Sequence, residues 1–155
     1  RSSAASDVYK RQTFHALSTS PPNFMGSIKM SKKSENSDMP IIRDNVEVMW
    51  EELPGHFGGA LSKLIATPEN APTKYFDFRL STYQPKGFVE KHSHEIEEQI
   101  YYILEGEGLM ELNGTTNIVR PGQTIIIPPK VDHALHNTGT KDLTFLVITS
   151  PPLQI

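Results

Sequence analysis

From Pro40 onward, short apolar runs alternate with clusters of Gly, Pro and Asn. In APTKYFDFRLSTYQPKG, Phe76, Phe78 and Leu80 alternate with polar neighbours, the period of a half-buried strand. Gln84-Pro85-Lys86-Gly87 then reads as a turn. FVEKHSH, QIYYILEGEGLMELNG, TTNIVRPG, QTIIIPPKVDHALHNTG and KDLTFLVITSPP follow, each a β-branched or aromatic run closed by turn residues. Asn113-Gly114 between MEL and TTNIV is a hairpin signal. Upstream, IIRDNVEVMWEEL suggests a strand and a turn, and GHFGGALSKLI a Gly-rich turn followed by a strand. No long amphipathic helix interrupts the series. The pattern predicts one all-β domain, an antiparallel barrel or sandwich.

Residues 1–40 have another texture. Ser, Pro, Asn and Lys dominate without a periodic apolar pattern, so a flexible N-terminal arm is expected there and the folded domain over 41–155. RSSAASDVYKRQ, residues 1–12, resembles translated adapter sequence of the kind that enters assembled data, and it carries no functional weight here.

Composition narrows the chemistry. The chain has 155 residues, a formal net charge of -3 and no sustained basic block, which argues against a nucleic-acid partner. It has no cysteine, so any metal would be held by nitrogen and oxygen ligands. No apolar run is of membrane-spanning length and the start lacks a signal-peptide core, so the expectation is a cytoplasmic protein without a membrane partner.

KHSHEIEEQIYYILEGEG holds the candidate chemistry. His92 and His94 lie two apart in an extended segment, which turns both rings to one side. His133, in PPKVDHALHN, is a third candidate that an antiparallel barrel can bring beside them.

These residues resemble the motifs of a single-domain cupin of the RmlC-like superfamily, a double-stranded β-helix or jelly-roll barrel. Gly87, His92, His94 and the closing Gly106 match the first motif. Gly122, Ile125-Ile126-Ile127-Pro128, His133 and Asn137 match the second, with Lys130 where a glycine is usual. The resemblance covers roughly 76–150, and 41–74 is expected to add further strands. It implies that His92, His94 and His133 bind one divalent transition metal, with Zn, Fe, Mn, Ni, Cu and Co all open. The family's acid is the point of departure. Counting back from Gly106, its place falls on Gln99; counting forward from His94, Glu98 or Gln99 is allowed. Gln99 is favoured, because the apolar run IYYILEG follows it directly. Its carbonyl oxygen can coordinate but adds no charge.

If Gln99 points inward, Tyr101 and Ile103 should too, making Tyr101 a candidate proton donor. Glu90 shares the parity of His92 and His94 and is a candidate acid or base. Arg79 is a candidate for binding a substrate carboxylate. His136 is expected to face away from His133. Phe76, Phe78, Phe88, Ile125, Ile127, Leu135, Phe145 and Val147 are the apolar candidates for core and pocket.

The resemblance implies a metal-dependent enzyme acting on a small oxygenated organic substrate. The favoured chemistry is non-redox, of lyase, isomerase or cyclase type. The alternatives are a dioxygenase acting on catechol-, flavonol- or diketone-like substrates, and a non-catalytic binding protein for small molecules. A homodimer is implied as well.

Overall fold

The computed structural model describes residues 39–153. The expected arm over 1–40 falls outside the described residues, apart from Met39 and Pro40. Ten strands follow: β1 (His56–Phe57), β2 (Ala60–Ala66), β3 (Asp77–Tyr83), β4 (Phe88–His92), β5 (Glu98–Glu105), β6 (Gly108–Leu112), β7 (Thr115–Val119), β8 (Thr124–Ile127), β9 (His133–His136) and β10 (Leu143–Ser150). They form two five-stranded sheets, ordered β1-β4-β9-β6-β7 and β2-β3-β10-β5-β8, and every strand pairing is antiparallel. The all-β jelly-roll expectation is met.

The hairpin between β6 and β7 turns on Asn113 and Gly114, with φ of 46° and 80°. Two consecutive positive φ values match the twist of a tight hairpin, and this pair tolerates them best. Gly106 has φ of 75°, and a Cβ there would collide with the Asp142 carbonyl, so the closing glycine of the first motif is fixed by close packing. Lys130, the departure from the second motif, also has a positive φ, 65°. The backbone keeps the shape a glycine would take, and the Lys130 amide donates to the His94 carbonyl at 2.7 Å. The loop thus braces the histidine segment at some cost in backbone strain.

Between the sheets lie Tyr83, Ile103, Met110, Ile127, Leu135, Leu143 and Phe145, all almost fully buried. The parity expected for β3 is reversed. Asp77, Arg79, Ser81 and Tyr83 are buried, while Phe78 and Leu80 are half-buried on the outer face and Phe76, before the strand, is exposed. Phe88 likewise stacks on His136, with ring centroids 5.3 Å apart, instead of entering the core. Strand alternation alone does not say which face is inside, and here the inner face carries polar side chains, of which Arg79 and Ser81 line a cavity. The segment 41–53 also differs from the expected strand. Asp44 caps a short 3-10 turn, Asn45–Glu47, by accepting the Val46 amide at 3.1 Å, and only Glu51 bridges to a strand, at Ser62.

Lys130→Gly should raise stability by about 0.5–1 kcal/mol, since relief of the left-handed strain outweighs the added freedom of the unfolded chain. The check is a higher urea midpoint with an unchanged denaturant slope.

Candidate metal centre

The site forms where the two sheets face each other. Strands β4 and β9 pair His92 with His133. His94 follows two residues beyond β4. The three rings converge, with centroid separations of 4.2 Å for His92–His133, 5.0 Å for His92–His94 and 5.4 Å for His94–His133. One nitrogen from each lies within 4.8 Å of the other two.

Backbone carbonyls set the ring tautomers. His92 Nδ1 donates to the Glu90 carbonyl at 2.7 Å, and His133 Nδ1 donates to the Val131 carbonyl at 2.9 Å. The Nε2 lone pairs are left for another acceptor. Nε2 of His94 and of His133 are buried without a hydrogen-bond partner among the described residues. An orphaned buried nitrogen costs about 1–3 kcal/mol, so two of them facing a third imidazole fit a bound cation. Burial holds His133 down at about 4, with the neighbouring His92 and His94 acting in the same direction against the Val131 bond. Burial, and then His92, also lowers His94. Neutral imidazoles are the ligand form.

The opposite sheet contributes Gln99. Strand β5 keeps strict alternation, so Gln99, Tyr101 and Ile103 are buried while Glu98, Ile100 and Tyr102 face outward. Gln99 is 3% exposed and lines the cavity. Its Nε2 donates to Thr149 Oγ1 at 3.1 Å, and its Oε1 accepts from the Tyr101 hydroxyl at 3.2 Å. This network fixes which way the carboxamide points. Burial pushes the Tyr101 hydroxyl up to about 12, so it remains a proton donor.

Thr149 Oγ1 also accepts from Arg79 Nη2 at 2.7 Å, and Arg79 Nε lies 3.1 Å from Asp77 Oδ1. The reversed parity of β3 brings Arg79 into the cavity lining, tied to a carboxylate. Glu90 does not join the site. The β4–β9 register shifts between Val89 and His92, and this bulge breaks the alternation that would have turned Glu90 inward. Val89 is buried and Glu90 exposed. His136 faces away from the triad, as expected.

One cavity residue, His56, and two residues that hold Arg79 and Gln99, Asp77 and Thr149, escaped the sequence reading. His56 lines the cavity from β1, holds its Nδ1 on the Pro54 carbonyl at 2.9 Å and meets Tyr83 edge-on. A two-residue strand carries no periodic signal, and GHFGG offered only a histidine among glycines. Asp77 and Thr149 sit at positions where polar strand residues usually face solvent. The cavity measures about 260 Å³ and is lined further by Leu53, Tyr83, Phe145, Val147 and Leu153.

In metal-free protein, His133 sets a pH dependence. Its folded value near 4 lies below the ordinary 6.5, so between those limits the unfolded chain binds a proton that the folded chain does not. Stability should therefore be complete above pH 6.5 and fall progressively toward pH 4. Urea titrations in chelator should show that slope, and His133→Asn should flatten it.

Comparison with known proteins agrees with this geometry. A cupin domain model matches residues 79–149. An oxalate-binding protein of Thermotoga maritima is 39% identical over 64 residues, 41% of this chain and 53% of that protein. The chain spans about half the length of the curated relatives it matches at highest identity. Among solved structures, a predicted oxalate decarboxylase of Thermotoga maritima superposes with a TM-score of 0.64 at 28% identity, covering 71% of this chain and 98% of that one. The polyketide cyclase RemF of Streptomyces resistomycificus gives a TM-score of 0.63 at 28% identity, covering 72% and 80%. The family match and the two-sheet barrel together identify a cupin domain over residues 79–149.

Proposed function

We propose that this cupin is a metal-dependent enzyme in which His92, His94, His133 and the Gln99 carbonyl oxygen hold one divalent transition metal. The observation that carries the reading is the pair of buried, unpartnered Nε2 atoms of His94 and His133, in a three-histidine cluster whose His92 and His94 line one cavity with Gln99. A divalent ion there would supply Lewis acidity toward a substrate carbonyl or carboxylate. Every donor in this set is neutral, so the ion's charge is left for the substrate's oxygens. That favours lyase, isomerase or cyclase chemistry over redox cycling. The relatives are in keeping with it, one described as oxalate-binding and one as a polyketide cyclase.

The chain's own groups supply the rest. Tyr101, pushed up by burial, keeps its proton beside Gln99 and serves as a hydrogen-bond donor toward an oxygen bound there. Thr149 is a positioning residue: by accepting from Gln99 Nε2 it aims the opposite atom, Oε1, away from itself. A second copy of the chain is proposed as partner for the outer face of the sheet holding β5. Ile100, Tyr102, Leu104, Ile126 and Ile148 are exposed there, and Ile126 is 67% exposed. A two-fold contact would cover the same apolar residues on both copies.

Protein purified without a histidine tag should hold one metal per chain by elemental analysis. Gln99→Ala should lower metal affinity by about 10–100-fold, with Thr149→Val following in the same direction and Glu98→Ala leaving it unchanged. Loss on Glu98→Ala alone would overturn the ligand assignment. Turnover that stops under argon would replace the Lewis-acid reading with the dioxygenase one. Light scattering should give a dimer mass, and Ile126→Lys should shift it toward monomer.

A further inference from the structure

The inner face of the β3-β10-β5 sheet is arranged in rows. Register places Asp77, Thr149 and Gln99 side by side, then Arg79, Val147 and Tyr101, then Ser81, Phe145 and Ile103. Gln99 of the first row lines the cavity together with His92 and His94, Tyr101 of the second meets His133 edge-on at 6.5 Å, and the third row is mainly apolar. Four residues of strand separate them, on the order of 13 Å. The cavity therefore changes character along its length, from nitrogen and oxygen donors at Gln99 to Phe145 and Tyr83.

Arg79 stands between the two ends. It is 7% exposed, its Nη2 is taken by Thr149 and its Nε lies beside Asp77. Among the described residues its Nη1 has no partner, although Arg79 lines the cavity. A guanidinium has five N–H groups in a planar fork, and a carboxylate oxygen is their matching acceptor. Asp77 does not fill this role at Nη1. Its Oδ1 lies against Nε, and its Oδ2 accepts the Leu153 amide at 3.1 Å, which draws Leu153 against the cavity.

We propose that the ligand is an α-oxo or α-hydroxy carboxylate with an apolar, aryl-sized body. The inference rests on the metal reading above and names the substrate class of that site. The vicinal oxygens face the three imidazoles, the carboxylate also takes Arg79 Nη1, and the body lies against Val147, Phe145, Tyr83 and Leu153. A two-carbon dianion such as oxalate reaches the donors and Arg79 but leaves the apolar end without a contact. The chain should thus differ in preference from its oxalate-binding relative.

The test is titration calorimetry on nickel-loaded protein, with the metal content of each sample measured alongside. Phenylpyruvate should bind about tenfold more tightly than oxalate, because only it buries a phenyl group. Arg79→Gln should weaken phenylpyruvate by about tenfold while changing benzoylacetone, which chelates without a carboxylate, by less than about threefold. Oxalate binding as tightly as phenylpyruvate in metal-loaded protein would overturn the proposal and leave the metal centre standing. Equal losses for both probes in Arg79→Gln would reduce Arg79 to a support for Thr149. The comparison of oxalate with phenylpyruvate on unaltered protein decides the class even where Arg79→Gln fails to fold. Protein that takes up neither nickel nor any of zinc, iron, manganese, copper and cobalt would overturn the metal reading and this one with it.

Discussion

One hydroxyl, Thr149 Oγ1, accepts from Arg79 Nη2 and from Gln99 Nε2, and the polar half of the cavity depends on it. Each donor comes from a different strand, and β10 lies between them. Without that acceptor the guanidinium would lose its anchor and the Gln99 carboxamide would lose what fixes its orientation. The arrangement also explains how charge is tolerated inside a small barrel. Arg79 is buried together with Asp77, and breaking such a pair costs about 3–5 kcal/mol because one charge is left uncompensated. Asp77 in turn holds the Leu153 amide, so the chain end beyond β10 is tied to the same network.

The facing sheet follows a different constraint. It has to deliver three imidazoles with their lone pairs pointing at one another, which free rings would avoid. Carbonyls of the same chain do this locally. Glu90 and Val131 each accept the Nδ1 proton of the histidine two residues on. The bulge in β4 turns His92 toward His133 while leaving Val89 in the core. It therefore serves both the histidine cluster and the apolar core. The left-handed loop at Lys130 completes the support by donating its amide to His94.

Strict alternation inside β5 made Gln99 legible, because a regular strand passes its parity from Ile103 and Tyr101 back to Gln99. The same rule failed for Glu90, because the bulge lies between it and His92. It also failed for Phe78 and Leu80, where the alternation was real and its sense inverted. A period of two says that faces differ without saying which one is inside. In most strands the apolar side answers that question. Here the inner side carries Asp77, Arg79 and Ser81, whose polar atoms meet one another and neighbouring strands across the sheet.

The sequence by itself determined strands β2 to β10, the turns at Asn113-Gly114 and Gly106, and the three histidines, since these rest on local periodicity and on motif spacing. The tertiary structure alone decided the partners of Gln99, the burial of Arg79 with Asp77, the place of His56 and the exclusion of Glu90. Those outcomes depend on which strands lie side by side. Arg79 and Thr149 are 70 residues apart, and Gln99 and Thr149 are 50 apart. No local pattern encodes such a meeting, because it exists only once β10 has inserted between β3 and β5.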